Sequence, residues 1–256
     1  MPGEGPAAGW IERFREHPAR SAIFLDFDGT LSEIVARPEL ATPHPGMARV
    51  LGDLVRAYAT VAVISGRPTE EVRRLIGVPA VRVFGLYGLE DAADVDQSVK
   101  RNAEDVAGAV PGAWVEDKGA SLAVHFRAAA DPVTAEAELE PPLAALAGEA
   151  GLVLLRGKLV LELAPADTPG KGAVVRREAT RERIERCLFA GDDVADLDAF
   201  AAMDDLRIEG KDTVKVAVRS AGTPAPLLRA ADVVVDGPAG LGGLLSRLVP
   251  DPRSGP

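Results

Sequence analysis

The sequence predicts an α/β fold: a parallel sheet flanked by helices, with a small α+β unit inserted into it. Three observations carry this. Ala22-Ile23-Phe24-Leu25, Thr60-Val61-Ala62-Val63-Ile64 and Cys187-Leu188-Phe189-Ala190 are short apolar runs ending in polar turns, as strands buried on both faces do. Stretches of helical spacing lie between such runs; Met47, Val50, Leu51, Leu54, Val55 and Tyr58 make one apolar stripe. Residues 121–127 instead alternate, with Leu122, Val124 and Phe126 on one side and Ser121, Ala123, His125 and Arg127 on the other, the pattern of an antiparallel sheet with one covered and one open face.

Residues 1–9, rich in Pro, Gly and Ala, read as a loose tail, and Trp10 to Phe14 as a short helix. The first strand brings Asp26 and Asp28 to its carboxyl end, where Gly29 turns the chain. Residues 32–45 hold three prolines and read as an irregular loop. The helix from Met47 leads to the second strand, which ends at Ser65-Gly66-Arg67. Pro68 with Thr69, Glu70 and Glu71 then opens a helix. Val81 to Phe84 is a third strand, broken by Gly85-Leu86-Tyr87-Gly88.

Residues 93–167 read as helix, two strands, helix, two strands. Val99, Ala103, Val106 and Val110 give the first helical stripe, and a second helix over 132–149 is interrupted at Pro141-Pro142. A hairpin over 152–163 turns at Arg156-Gly157-Lys158. The expected organisation is a core of residues 1–92 and 168–256 with an inserted domain of 93–167. Beyond the insert, Pro169-Gly170-Lys171-Gly172 opens a helix, and Cys187 to Ala190 is a strand. Residues 194–203 follow as a helix with Leu197, Phe200 and Ala201 inward. Val214 to Val218 and Val233 to Val235 are strands, and Leu241, Leu244, Leu245 and Leu248 line a last helix.

Composition removes several function classes. A net charge of −10 on 256 residues argues against a nucleic-acid partner. No apolar run approaches the ~20 residues that span a bilayer. With one cysteine and no secretory signal, the expectation is a cytoplasmic monomer without a membrane partner. Cys187 sits within a buried strand and reads as unreactive.

Ligands of open α/β sheets gather beyond the carboxyl ends of the strands, where Asp26 and Asp28 stand. Two acids this close resist joint ionisation without a cation or hydrogen bonds. Gly191-Asp192-Asp193-Val194-Ala195-Asp196 repeats the situation after another strand. Mg²⁺, a hard cation that takes one or two carboxylates and keeps several waters, suits such a set. Ser65 and Gly66 lie where free amides of a helix start can meet an anion, and Arg67 can add a charged fork. The alternative there is an ordinary turn capped by Ser65. Lys171 in a helix's first turn opposes the helix dipole and needs an anion or open solvent. In the insert, one strand face carries Glu116, Lys118, Ser121, His125, Arg127, Lys158 and Glu162. That mixture suits either a solvated sheet face or the hydroxyls of a sugar.

Taken together, these sites resemble the haloacid dehalogenase superfamily, whose signature is DxDGT, then Ser or Thr, then Lys, then GDD with a nearby acid. Here the matches are Asp26-Phe27-Asp28-Gly29-Thr30, Ser65-Gly66-Arg67, Lys171, and Gly191-Asp192-Asp193 with Asp196. Within the superfamily the chain resembles the trehalose-6-phosphate phosphatase family from about residue 20 to 248. The stretches concerned are Leu25 to Val35, Ile64 to Arg67, Gly85 to Glu90, and the pairings Glu116-x-Lys118, Ser121 with His125-x-Arg127, and Gly157-Lys158 with Glu162. Tyr87 departs from the family's frequent His, and Ala195 and Leu197 depart from its frequent Thr-Asp-Glu.

The resemblance implies a Rossmann-like core with a cap of the C2 type. It also implies Mg²⁺-dependent hydrolysis of a small sugar phosphate, trehalose 6-phosphate, through an aspartyl-phosphate. Asp26 is then the nucleophile, and Asp28 is the general acid and later base, protonated in the substrate complex. Mg²⁺ is held by the Asp26 carboxylate, the Asp28 backbone carbonyl and Asp192, supported from behind by Asp193 and Asp196. Ser65 and Lys171, with Gly66 and Arg67, take the phosphate. Glu116, Lys118 and Glu162, with Arg127 and Lys158, take the sugar. Alternatives that keep the core are a phosphatase for sucrose phosphate or for mannosyl- or glucosyl-phosphoglycerate, and a sugar phosphomutase.

Overall fold

The computed structural model describes residues 9–35, 40–89, 93–157, 159–181 and 183–250. The chain order is α1 (Trp10–Glu16), β1 (Ser21–Leu25), α2 (Met47–Ala57), β2 (Thr60–Ile64), α3 (Thr69–Ile76), β3 (Arg82–Phe84), α4 (Gln97–Gly108), β4 (Trp114–Asp117), β5 (Leu122–His125) and α5 (Pro132–Glu149). It continues through β6 (Leu152–Gly157), β7 (Val160–Pro165), α6 (Gly170–Ala179), β8 (Arg186–Gly191), α7 (Asp196–Ile208), β9 (Asp212–Arg219), α8 (Ala225–Ala230), β10 (Val233–Asp236) and α9 (Gly237–Leu248).

The larger sheet has the order β10-β9-β8-β1-β2-β3, and every pairing in it is parallel. The chain winds outward from β1 to β3, then returns to β8 on the other side of β1 and winds out to β10. The reversal falls between β1 and β8, the place where a doubly wound sheet opens a ligand crevice. Alternate strand residues supply two cores. Ile23, Leu25, Val63 and Leu188 pack with α1, α2, α3 and α9, while Ala22, Phe24, Ala62 and Phe189 pack with α6, α7 and α8. Burial on both faces explains why these strands are uninterrupted apolar runs.

The second sheet is antiparallel, in the order β4-β5-β7-β6. Leu122, Val124, Leu161 and Leu163 on one face pack against Ala103 and Ala107 of α4 and Leu139 and Leu143 of α5. The opposite face is not open, contrary to the sequence-based expectation: Ser121, His125 and Glu162 are buried. It is turned onto the strand ends of the parallel sheet, where Lys118 Nζ donates to the Gly66 carbonyl (2.9 Å) and Arg127 Nη1 to the Val35 carbonyl (3.0 Å).

Two further expectations are corrected, and one helix is added. α5 runs without interruption through Pro141 and Pro142. Both prolines lie on the exposed side, so the carbonyls one turn back, at Ala137 and Glu138, face water rather than being orphaned in the core. α7 extends to Ile208, and its inner stripe is Ala199, Phe200, Ala202, Met203 and Leu206; Ala201 is exposed. α8, started by Pro224 and Pro226, was hidden in a stretch too short to show periodicity. Lys158 and Glu90 lie outside the described residues.

Candidate active site

Asp26 N donates to the Ala190 carbonyl (2.9 Å), extending the β1–β8 pairing by one residue and setting Asp26 beside Gly191-Asp192. The chain then turns tightly, with the Phe27 carbonyl accepting from the amides of Thr30, Leu31 and Ser32. Gly29 is needed twice over: its φ is +82°, and a Cβ there would overlap the Asp192 carboxylate. A Cβ at Gly191 would likewise overlap the Asp196 carboxylate. Asp196 Oδ2 accepts the amides of Asp192 (2.8 Å) and Asp193 (2.9 Å) and so fixes the loop after β8. The Asp193 side chain caps the following amide, accepting from Val194 N at 2.7 Å.

The anion that Lys171 needs is a pair of carboxylates. Its buried ammonium donates to Asp26 Oδ1 and to Asp196 Oδ1, both at 2.6 Å. Burial works against the charge, but Asp196 and Asp26 outweigh it and hold the lysine protonated, well above its ordinary pKa. At Asp26, burial raises the carboxyl well above its ordinary value; Lys171 opposes the rise, and Asp196 and Asp192 add to it. Oxygens of Asp26, Asp192 and Asp196 lie within 4.8 Å of one another. Three acids thus face one ammonium, a hard-oxygen set with surplus negative charge that fits a cation of the Mg²⁺ class. Both Asp196 oxygens already accept hydrogen bonds, so Asp26 and Asp192 are the better ligands.

Ser65 is buried, and its Oγ accepts from Arg67 N (3.1 Å), which leaves the hydroxyl proton to donate. Arg67 already has two carboxylate partners. Its fork closes on Asp28, Nε to Oδ2 and Nη2 to Oδ1, both at 2.7 Å, while Nη1 pairs with Glu71. A guanidinium matches a carboxylate in two parallel bonds, and here that match holds Asp28. Both Asp28 oxygens thus accept from Arg67, and a proton exchange with a ligand requires Asp28 to leave this fork.

Above these groups stands the antiparallel sheet. Glu162 accepts from Ser121 Oγ (2.6 Å) and pairs with Lys118 (3.3 Å). Arg127 Nη2 lies 3.1 Å from His125 Nδ1, and His125 Nε2 lies 2.6 Å from Glu116 Oε2. Arginine only donates, so Nδ1 accepts and Nε2 carries the proton toward Glu116. Burial depresses the pKa of His125, and Arg127 and Lys118 add to this against the pull of Glu116. Trp114 stacks on the ring at 4.9 Å. Burial raises Glu116, but His125, Lys118 and Arg67 more than offset it and leave the carboxyl below its ordinary value.

A depressed histidine binds its proton more readily in the unfolded chain. The stability that His125 contributes is therefore present above ~6.5 and is lost as pH falls through its lower folded value. Calorimetric midpoints should drop more on acidification for the wild type than for His125→Gln; parallel curves would show that His125 carries no part of the acid sensitivity.

The two walls enclose a pocket of about 100 Å³ between Asp26, Ser65 and Lys171 below and Glu116, Lys118 and Glu162 above. Sequence reasoning missed two neighbours. Asp198 of α7 accepts the Gly172 amide (2.7 Å) and fills the space that a Cβ at Gly170 would take; the glycines flanking Lys171 were its only signal. Tyr87 lines the pocket, and the sequence marked it only as a departure from a pattern. Cys187, as expected, is an inert interior thiol, its pKa pushed up to about 12 by burial.

The family model described as trehalose-phosphatase matches residues 24–226. A trehalose-phosphate phosphatase of Mycobacterium marinum is 34% identical over 205 residues, which are 72% of this chain and 52% of that protein. A Mycobacterium tuberculosis protein named as an uncharacterized glycosyl hydrolase is 36% identical over 207 residues, covering 72% of this chain and 15% of the relative. The chain thus spans about half the length of the curated phosphatases it matches. Among solved structures, the C-terminal domain of the Candida albicans trehalose-6-phosphate phosphatase superposes with a TM-score of 0.80 at 22% identity, over 93% of this chain and 95% of that one. An Aspergillus fumigatus trehalose-6-phosphate phosphatase gives 0.61 at 24% identity, over 94% and 96%. These structures share the fold, and with the family match the conclusion is that the chain belongs to the trehalose-phosphatase family of haloacid dehalogenase fold.

Proposed function

We propose that this protein is a Mg²⁺-dependent phosphatase that hydrolyses trehalose 6-phosphate to trehalose and inorganic phosphate through an aspartyl-phosphate on Asp26. The supporting observation is the buried Lys171 ammonium bridging Asp26 and Asp196, directly beneath Lys118 and Glu162. Residues 1–92 and 168–256 act as the catalytic core, and 93–167 as the cap that selects the substrate.

Asp26, steadied through Oδ1 by Lys171, attacks the phosphorus and forms the acyl phosphate as the bond to the sugar oxygen breaks. Asp28 gives that oxygen a proton and later takes one from the attacking water. Phosphoryl oxygens entering the pocket compete for the Arg67 fork and release Asp28 for this exchange. The Ser65 hydroxyl, the Gly66 amide and the Lys171 ammonium bind the phosphoryl oxygens and meet the charge that builds in the transition state. Asp26, the Asp28 carbonyl and Asp192 would hold Mg²⁺, which when bound supplies positive charge to the phosphoryl group. Asp193 and Asp196 hold the loop that carries Asp192. Glu116, Lys118 and Glu162 bind sugar hydroxyls, Lys158 is a further sugar-binding residue by its place in the sequence pattern, and Arg127 aims Glu116 through His125. Among the described residues no helix is long and apolar enough to cross a membrane, and the partner is a small sugar phosphate.

The test is phosphate release from a panel of phosphorylated sugars with and without Mg²⁺. Trehalose 6-phosphate should lead the panel, and chelation should stop turnover. Preference for sucrose phosphate or a glycosyl phosphoglycerate would reassign the substrate, and hydrolysis that survives chelation would remove the metal.

A further inference from the structure

Beside the Ser65-Gly66-Arg67 turn the chain is held in a conformation that side chains rarely adopt. Just beyond β3, Leu86, Tyr87 and Gly88 have φ of +48°, +54° and +92°. Glycine takes this left-handed region freely; leucine and tyrosine take it at a cost and persist there where the surroundings over-determine them, often at active sites. Here the surroundings are the turn itself. Leu86 N donates to the Arg67 carbonyl (3.0 Å) and Tyr87 N to the Ser65 carbonyl (3.1 Å). Gly85, just ahead, approaches so closely that a Cβ would overlap the Arg67 carbonyl and the Thr69 amide.

This bend delivers the Tyr87 phenol onto Gly66. A Cβ at Gly66 would meet Oη at 2.5 Å and Cζ at 2.8 Å, so glycine is required there for the phenol to fit. Tyr87 thereby lines the pocket together with Asp26, Ser65 and Lys171. Among the described residues its hydroxyl has no hydrogen-bond partner. Buried tyrosine hydroxyls usually find one, as the chain's other tyrosine does: Tyr58 donates to the Leu248 carbonyl at 2.8 Å. Burial raises the Tyr87 phenol well above its ordinary pKa, Glu162 adds to the rise and Lys171 opposes it. The phenol therefore keeps its proton, and what it lacks is an acceptor.

The neighbours say which acceptor fits. The Gly66 carbonyl is taken by Lys118, and the groups of this turn that remain are the Ser65 hydroxyl proton and the Gly66 amide, both donors. Lys171 adds a third. A group rich in oxygens and poor in protons answers all of them at once, which is the character of a phosphoryl group.

We propose that Tyr87 is a further catalytic residue: its hydroxyl donates to an oxygen of the phosphoryl group, alongside Ser65, Gly66 and Lys171, as that group passes to Asp26. This rests on the phosphatase reading given above. Tyr87→Phe keeps the ring against Gly66 and removes only the oxygen, and circular dichroism checks that the variant is folded. A packing role alone predicts no change. The loss of a donor to charged oxygens should instead lower kcat/KM ~10–100-fold, alike for trehalose 6-phosphate and p-nitrophenyl phosphate. An unchanged kcat/KM, or a loss confined to trehalose 6-phosphate, overturns the assignment to the phosphoryl group. A second measurement needs neither a variant protein's folding nor turnover. The chain has two tyrosines, so labelling tyrosine with ¹³C at Cζ gives two signals, Tyr58 serving as the internal reference. Inorganic phosphate added with Mg²⁺ should move the Tyr87 signal and leave that of Tyr58 in place. A Tyr87 signal that stays still at saturating phosphate overturns the proposal, whichever sugar phosphate proves to be the substrate.

Discussion

Asp26→Asn is expected to reduce phosphate release by ~10⁴-fold or more while the protein stays folded. The amide has the shape of the carboxylate but not its nucleophilicity, and its oxygen can still accept from Lys171 in the place of Oδ1. Lys171 also retains Asp196, so the buried ammonium does not lose its counter-charge. Burial already raises the Asp26 carboxyl, which means that the charged form is held in place at a cost. Removing the charge should therefore leave the calorimetric midpoint of the metal-free protein level or higher. Added Mg²⁺ should raise the wild-type midpoint by binding the native state alone, and raise that of the variant much less. Turnover near the wild-type level would exclude Asp26 as the nucleophile. A folded variant that lost activity yet kept the full Mg²⁺ response would separate catalysis from metal binding.

What the sequence made legible follows the range of the forces involved. β2 could be read residue for residue because burial on both faces leaves a run, Thr60 to Ile64, in which every side chain is apolar or small. Gly29, Gly191 and Lys171 could be tied to the site because each occupies a strand end or helix start, and these are local features. The polar face of the insert could not be assigned, because alternation along β5 looks the same whether Ser121 and His125 meet water or a second polar wall. Only contacts from outside the strand, such as Lys118 to Gly66, decide it. Arg67 shows the same limit. Its turn was visible, but its partner Asp28 lies 39 positions earlier, and nothing near residue 67 reveals that the fork is already taken. The unbroken α5 depends on which side of the helix Pro141 and Pro142 fall, a property of packing rather than of proline itself.

Lys171→Met tests the bridge on which the site depends, and it should cost both catalysis and stability. Methionine keeps much of the length and apolar stem but brings no charge, so Asp26, Asp192 and Asp196 are left as a buried acidic cluster. Breaking a buried ion pair by deleting one partner typically costs ~3–5 kcal/mol, and that loss is expected in the absence of metal. The pH dependence gives the sign. Lys171 opposes the upward shift of Asp26, so its removal raises that carboxyl further. The native state then binds more protons than the unfolded chain, and the stability of the variant should fall as pH rises and recover in acid. Mg²⁺ should restore part of the midpoint, since it also neutralises carboxylates. It should not restore turnover, because a positive donor at the phosphoryl oxygens is worth ~10²–10³-fold in rate. Adding Asp26→Asn to Lys171→Met should recover part of the lost stability, because the double variant no longer buries the carboxylate that the ammonium answered. Strict additivity of the two changes would mean that the 2.6 Å pair contributes nothing to the fold, and that Lys171 is held instead by Asp196.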